Sequence, residues 1–392
     1  MSSASIDNWV PGVLSDGQVR TLVREGWLEH LHPDCIDGSA LDLTVSAEGY
    51  EMKRGSVKPF GGNYEQDVLK DAGLATRVEP VAGVFSLESR KTFVFRVEQE
   101  LGSALLHSRV VYGQATARSS VGRVDVLTRL IVDGMDTYES FDPEGVGSQK
   151  GRMFIEVSPL TFNVLVKPGE SLSQLRLFKG RPEDCEIRGE VLYRSVLKGA
   201  APSGVRRRNE HGTLSVDLSN APVGKSDVGC AFRARGFKDA NERRAFPVPL
   251  WKAMPKDRPD PKDFWELLPC DCSGKQKYLN ITKERFYILR SRERIALPPS
   301  VAVYCRATDE TIGEMRIHYA GFVHPGFGFG RKDGSDGTPL IFEVRGHDVE
   351  VMLSDEEVMA RLTFYRMSAD AQKKSAYDKQ TLLLSNFFKP WH

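Results

Sequence analysis

A chain of 392 residues exceeds one comfortable hydrophobic core and suits two domains. Lysine and arginine number 54 against 53 acidic residues, and that balance argues against a protein built mainly to grip nucleic acid. No run approaches the roughly 18 uninterrupted apolar residues of a membrane helix. The polar stretch Met1 to Asn8 lacks a signal-peptide core, and six scattered cysteines make no disulfide framework, so the expectation is a cytoplasmic protein with reduced thiols.

In chain order, the clearest helix signal is Ser15 to Leu28, with Ser15 as N-cap, Val19, Leu22, Val23 and Trp27 on one face, and Gly26 near the exit. Short strand-like runs follow at Ala40–Ser46, Thr92–Val97, Met153–Val157 and Phe162–Val166, rich in Val, Phe, Ile and Thr. The same order then recurs. Phe286-Tyr-Ile-Leu-Arg290 mirrors Phe93-Val-Phe-Arg96. At an offset of 187 residues Glu156-Val157 aligns without gaps on Glu343-Val344, Val164 on Val351, Glu170 on Glu357 and Leu175 on Leu362. Such a repeat predicts two copies of one β-rich domain, residues 1–197 and 213–392. Between them lies a Gly-, Pro- and Arg-containing linker at 198–212, whose run Arg206-Arg207-Arg208 reads as solvated linker. The polar segments Asp136 to Lys150 and Gly328 to Gly337 read as loops, each just ahead of a Glu-Val strand.

Two constellations could carry chemistry. Arg118-Ser119-Ser120-Val-Gly-Arg123 puts two hydroxyls and two guanidiniums on a short turn, which suits an anion and equally suits a capped turn with exposed arginines. Ile317-His-Tyr319-Ala320-Gly321-Phe322-Val-His324-Pro-Gly326-Phe327 brings Tyr319 and Phe322 to a Gly-Pro-Gly turn where backbone can approach a flat ligand. Glu343 stands in an apolar strand, where a carboxylate is either paired structurally or kept for proton transfer with a raised pKa.

These residues match a family. The opening Gly12-Val-Leu-Ser-Asp16, Ile36-Asp-Gly-Ser-Ala-Leu-Asp-Leu43, Arg118–Arg123, Pro168–Leu175, Gly313–Phe327 and Glu343-Val344 occur in the order found in the two-domain bacterial dCTP deaminases, and the chain resembles them over most of its length. That family is related to the trimeric dUTPases. The resemblance implies a mainly β fold of two tandem dUTPase-like domains, each a distorted jelly roll or β-barrel with few short helices.

It also implies hydrolytic deamination of dCTP to dUTP and ammonia. By that resemblance Arg118, Ser119, Ser120 and Arg123 supply phosphate contacts and polar catalytic groups. The segment with Tyr319, Ala320, Gly321, His324 and Gly326 cradles the base, and Glu343 or Glu156 handles protons. Gln380, in a tail resembling the family's closing segment, would contact nucleotide. Copy two has Arg306-Ala-Thr-Asp-Glu-Thr311 in place of the Ser/Arg turn, and copy one has Asp136 to Lys150 in place of the Ala-Gly turn. A composite site joining copy one's Ser119 and Arg123 to copy two's Ala320 and Glu343 is the expectation, with Glu156 as second choice.

Mg²⁺ would accompany the triphosphate, and dTTP is an expected inhibitor. No zinc is expected, because none of the eight histidines begins a His-x-Glu and Pro269-Cys-Asp-Cys272 has the wrong spacing. His324 replaces the family's Asp before Pro-Gly, which weakens two rival readings, a dUTPase and a bifunctional deaminase-dUTPase. A catalytically silent nucleotide sensor is the rival from another class. A homo-oligomer is expected, with neither nucleic acid nor membrane as partner.

Overall fold

The computed structural model describes residues 4–146, 151–198, 212–237, 239–270, 276–307, 315–317, 321–330, 337–371 and 381–392. Helix α1 (Asp16–Arg24) begins where the sequence places it. Gln18 N donates to Ser15 Oγ while Ser15 N donates to the Gln18 side chain, a reciprocal capping box. It ends four residues early. Glu25 caps it, Gly26 turns left-handed at φ +74°, and Leu28–Glu29 leaves to pair with Glu100–Leu101.

The first half is built on β1 (Ala40–Met52), β2 (Phe93–Val97), β3 (Val111–Ala117), β4 (Val126–Val132), β5 (Met153–Pro159), β6 (Val164–Val166) and β7 (Ser171–Lys179). One antiparallel sheet runs β4-β5-β2-β1-β7-β3. Every residue of β5 is buried, so the strand is covered on both faces and its apolar run needs no alternation. The second half repeats the plan with β8 (Phe286–Ile295), β9 (Val301–Ala307), β10 (Gly321–Val323), β11 (Thr338–Gly346), β12 (Val351–Ser354) and β13 (Val358–Arg366). The fold is mainly β with short helices, as expected, and no helix among the described residues is long and apolar enough to cross a membrane.

Register bears out the internal repeat. Strands β7 and β13 are both nine residues long and start 187 positions apart. Glu156 faces Val94 across β5 and β2, and Glu343 faces Ile288 across β11 and β8; Arg96 and Arg290 then face Phe154 and Ile341, again 187 positions apart. The segment Asp136 to Lys150 departs from its reading as a loop. Within it Ser140–Phe141 pairs with β3 through Gln114 and Gly113, as β10 pairs with β9 through Tyr304 and Val303. A one-turn helix, Pro143–Val146, follows. Copy one thus keeps a counterpart of β10, recast with different residues, which residue-type matching could not show.

The halves share a core. One cluster joins Leu43, Phe95 and Val157 to Phe232, Trp265 and Phe286 of the second half and to Leu384, Phe387 and Phe388 of the C-terminal segment. Glu186–Ile187 and Leu197–Lys198 pair with β13 and β8, so the chain enters the second half's sheets before residue 199.

Candidate active site

After β3 the chain folds into α2 (Ser119–Gly122), a single turn. Val121 is fully buried and anchors it, leaving Ser119 exposed, Ser120 half-buried and Arg123 only 6% exposed. Arg123 N donates back to Ser119 O, which turns its side chain toward the second half. There Glu343, on β11, is also 6% exposed, and Arg123 Nε lies 3.9 Å from Glu343 Oε1. Burial pushes the Glu343 carboxyl up to about 7, and the Arg123 charge holds it from rising further.

Both residues line a cavity between the halves. Its first wall holds Arg118, Ser119, Ser120, Arg123 and Gln174; its second holds Cys305, Gly321, Phe322, His324 and Glu343. Asp42 accepts from Gln174 Nε2 at 2.8 Å and sits 3.5 Å from Arg118 Nη2, so it sets the Arg118 guanidinium at the rim. His324 packs on the turn between Asp37 and Ser39. Gly38 there is left-handed at φ +57°, and a Cβ would lie 3.2 Å from the His324 ring. The Cys305 thiol is pushed up to about 12 by burial and by Glu343, so it is no thiolate nucleophile at neutral pH.

Of the residues named from sequence, Arg118, Ser119, Ser120, Arg123, Gly321, His324 and Glu343 meet at this cavity. Gly326 does not line it; at φ +82° its N–H bonds Leu297 O and it shapes the turn from behind. Ala320, Tyr319 and Gln380 lie outside the described residues. Glu156 lies elsewhere. Arg129 Nε donates to it at 2.9 Å, Tyr138 Oη at 3.2 Å, and the Arg129 guanidinium covers the Tyr138 ring at 4.1 Å. Where copy two opens at Gly321, copy one carries Glu139, whose carboxyl is pushed up to about 8 by burial and accepts from Leu130 N.

Sequence reasoning assigned no role to Asp42, Gln174, Gly38 or Cys305. The first three fall inside stretches already matched to the family, which was the available signal; Cys305 had none. A second tie lies behind the cavity. Arg345, two residues along β11 from Glu343, pairs with Asp125, two residues beyond Arg123, and Thr161 bonds the same carboxylate. Asp125 is fully buried.

The C-terminal segment closes the far side. Ser385 Oγ donates to Ser120 O at 2.8 Å, and a second cavity of about 360 Å³ shares Ser119, Ser120 and Arg123 with residues 381–386 and 388–391 and with Arg258. Among the described residues no three His, Cys, Asp or Glu side chains converge as metal ligands.

Family models for the N-terminal and C-terminal domains of 2'-deoxycytidine 5'-triphosphate deaminase match residues 10–181 and 208–388. No curated protein matches the sequence. Among solved structures, that of 2'-deoxycytidine 5'-triphosphate deaminase from Agrobacterium tumefaciens is similar to this chain at 25% identity. It covers 92% of this chain and 99% of its own, with a TM-score of 0.75. With both domain models in tandem and that fold, dUTPase-like in each half, the chain belongs to the two-domain dCTP deaminase family.

Proposed function

We propose that this enzyme converts dCTP and water to dUTP and ammonia at the cavity between its halves, with Glu343 moving the protons. The observation that carries the reading is the Arg123–Glu343 pair facing the Ser119–Ser120 turn, with the carboxyl near neutrality. A group with a pKa near the working pH can both accept and return a proton. Glu343 takes a proton from water as its oxygen bonds to C4 of cytosine, and delivers it to N3. The tetrahedral carbon then loses its amine, which leaves as ammonia after taking the hydroxyl proton by way of Glu343. Arg123 and Ser119 hold charge and orient water, with Arg123 and Glu343 themselves buried. Arg118, set by Asp42, meets the phosphates, and Gly321 presents open backbone to the base.

Mg²⁺ enters with the triphosphate as part of the substrate. Zinc has no part in this scheme, in keeping with a sequence that lacks the His-x-Glu signature. The reading sets the protein in the cytoplasm among free nucleotides, as a homo-oligomer open to inhibition by dTTP.

The test is turnover of dCTP with Mg²⁺, separating nucleotides chromatographically and assaying ammonia. Stoichiometric dUTP and ammonia support the proposal. Further conversion to dUMP and pyrophosphate makes the enzyme bifunctional, and an unchanged dCTP peak overturns catalysis in favour of a silent sensor. Glu343→Gln should abolish turnover while keeping dCTP binding; an active Glu343→Gln beside an inactive Glu156→Gln would assign the chemistry to the other copy.

A further inference from the structure

A separate cavity of about 240 Å³ lies on the seam between the halves and shares no lining residue with the Glu343 cavity. Six cationic side chains face it: Arg90 from the first half, and Arg235, Arg243, Lys283, Arg285 and Arg345 from the second. Glu284 is the one carboxylate among its described lining residues, in a chain whose charges otherwise cancel to +1. Arg90 engages Glu284 at 2.9 Å, and Arg345 engages Asp125. Among the described residues no carboxylate comes within ion-pair distance of Arg235, Arg243, Lys283 or Arg285.

Local structure holds these charges together against their repulsion. Gly236 lies against the Arg285 guanidinium so closely that a Cβ there would stand 2.1 Å from Nη1. Arg243 Nη1 donates to Ser89 Oγ at 3.1 Å, and its guanidinium sits 5.8 Å from the Phe237 ring centre. Concave walls of one sign focus potential, and guanidiniums arrayed on several sides offer paired donors to phosphate oxygens. We propose that this cavity binds the phosphate chain of a polyphosphate anion, as a site distinct from the Glu343 cavity.

Calorimetric titration of the full chain with inorganic tripolyphosphate at low salt tests this. The expected result is saturable binding outside the Glu343 cavity, with affinity falling steeply as salt rises. Arg285→Gln and Arg235→Glu should each weaken it about tenfold or more, a loss of roughly 1.4 kcal/mol, and Arg118→Gln should leave it in place. Arg235 is exposed, so its substitution tests charge without threatening the fold. Equal affinity for ATP would mark the phosphate chain as the whole ligand, and tighter ATP binding would mark a nucleotide; both support the site. No saturable binding, or binding lost in Arg118→Gln and kept in Arg235→Glu, overturns it. Neither result bears on whether dCTP is deaminated.

Discussion

Glu343 was the first candidate from sequence and Glu156 the second, and their neighbours differ. Glu156 is fixed by Arg129 and Tyr138. Glu343 meets one guanidinium at 3.9 Å, and burial lifts it to about 7. Because the base must be ionised, kcat/KM for dCTP should rise through an apparent pKa near 7, and a pH–rate profile that is flat from 6 to 8 would contradict the role. Stability carries the opposite sign. A carboxyl raised from 4.5 stabilises the fold while protonated, and that contribution is lost as pH climbs through about 7. Glu343→Gln should therefore raise Tm at pH 8 by several degrees and hardly at pH 5, read by calorimetry. Glu156→Gln should keep turnover but lower stability by about 1–3 kcal/mol, since it weakens the hold on Arg129, as a denaturant titration would show.

Single turns aim Ser119, Ser120 and His324, while Glu343 rides on strand β11. Gly38 is left-handed, and a Cβ there would crowd the His324 ring. Gly38→Ala should cost about 1 kcal/mol in backbone strain and push the His324 segment from the cavity, which steady-state kinetics would report as a raised KM for dCTP. Elements of this size explain what could be read from sequence. Strands such as Met153–Val157 and Phe286–Arg290 were legible because burial on both faces demands unbroken apolar runs. The early end of α1 was set by Glu25 and Gly26 against an apolar pattern that continued to Trp27. The Ser140–Phe141 strand was hidden because edge pairing with β3 rests on backbone hydrogen bonds, which leave no pattern in residue type.

Across the whole molecule, the cavity's lining was legible at Ser119, Arg123 and Glu343, whose residue types match a family motif, and illegible where it rests on the contact of two halves. Arg176 is such a case. It is fully buried, comes from β7, and donates to Val303 O at 3.0 Å and Val323 O at 3.4 Å while lying 4.0 Å over the Phe322 ring. Burial draws its guanidinium down to about 9. Its sequence context, an apolar strand, suggested nothing of this reach. Arg176→Ala takes a charged donor from two buried carbonyls and should cost about 2–4 kcal/mol, measured by chemical denaturation, with Arg176→Lys recovering part of the loss. Both walls of the Glu343 cavity ride on one polypeptide, so each finds the other at an effective concentration on the order of millimolar, set by the tether and not by the solution. Turnover per chain should accordingly hold constant when the protein is diluted from micromolar to nanomolar, however many chains associate.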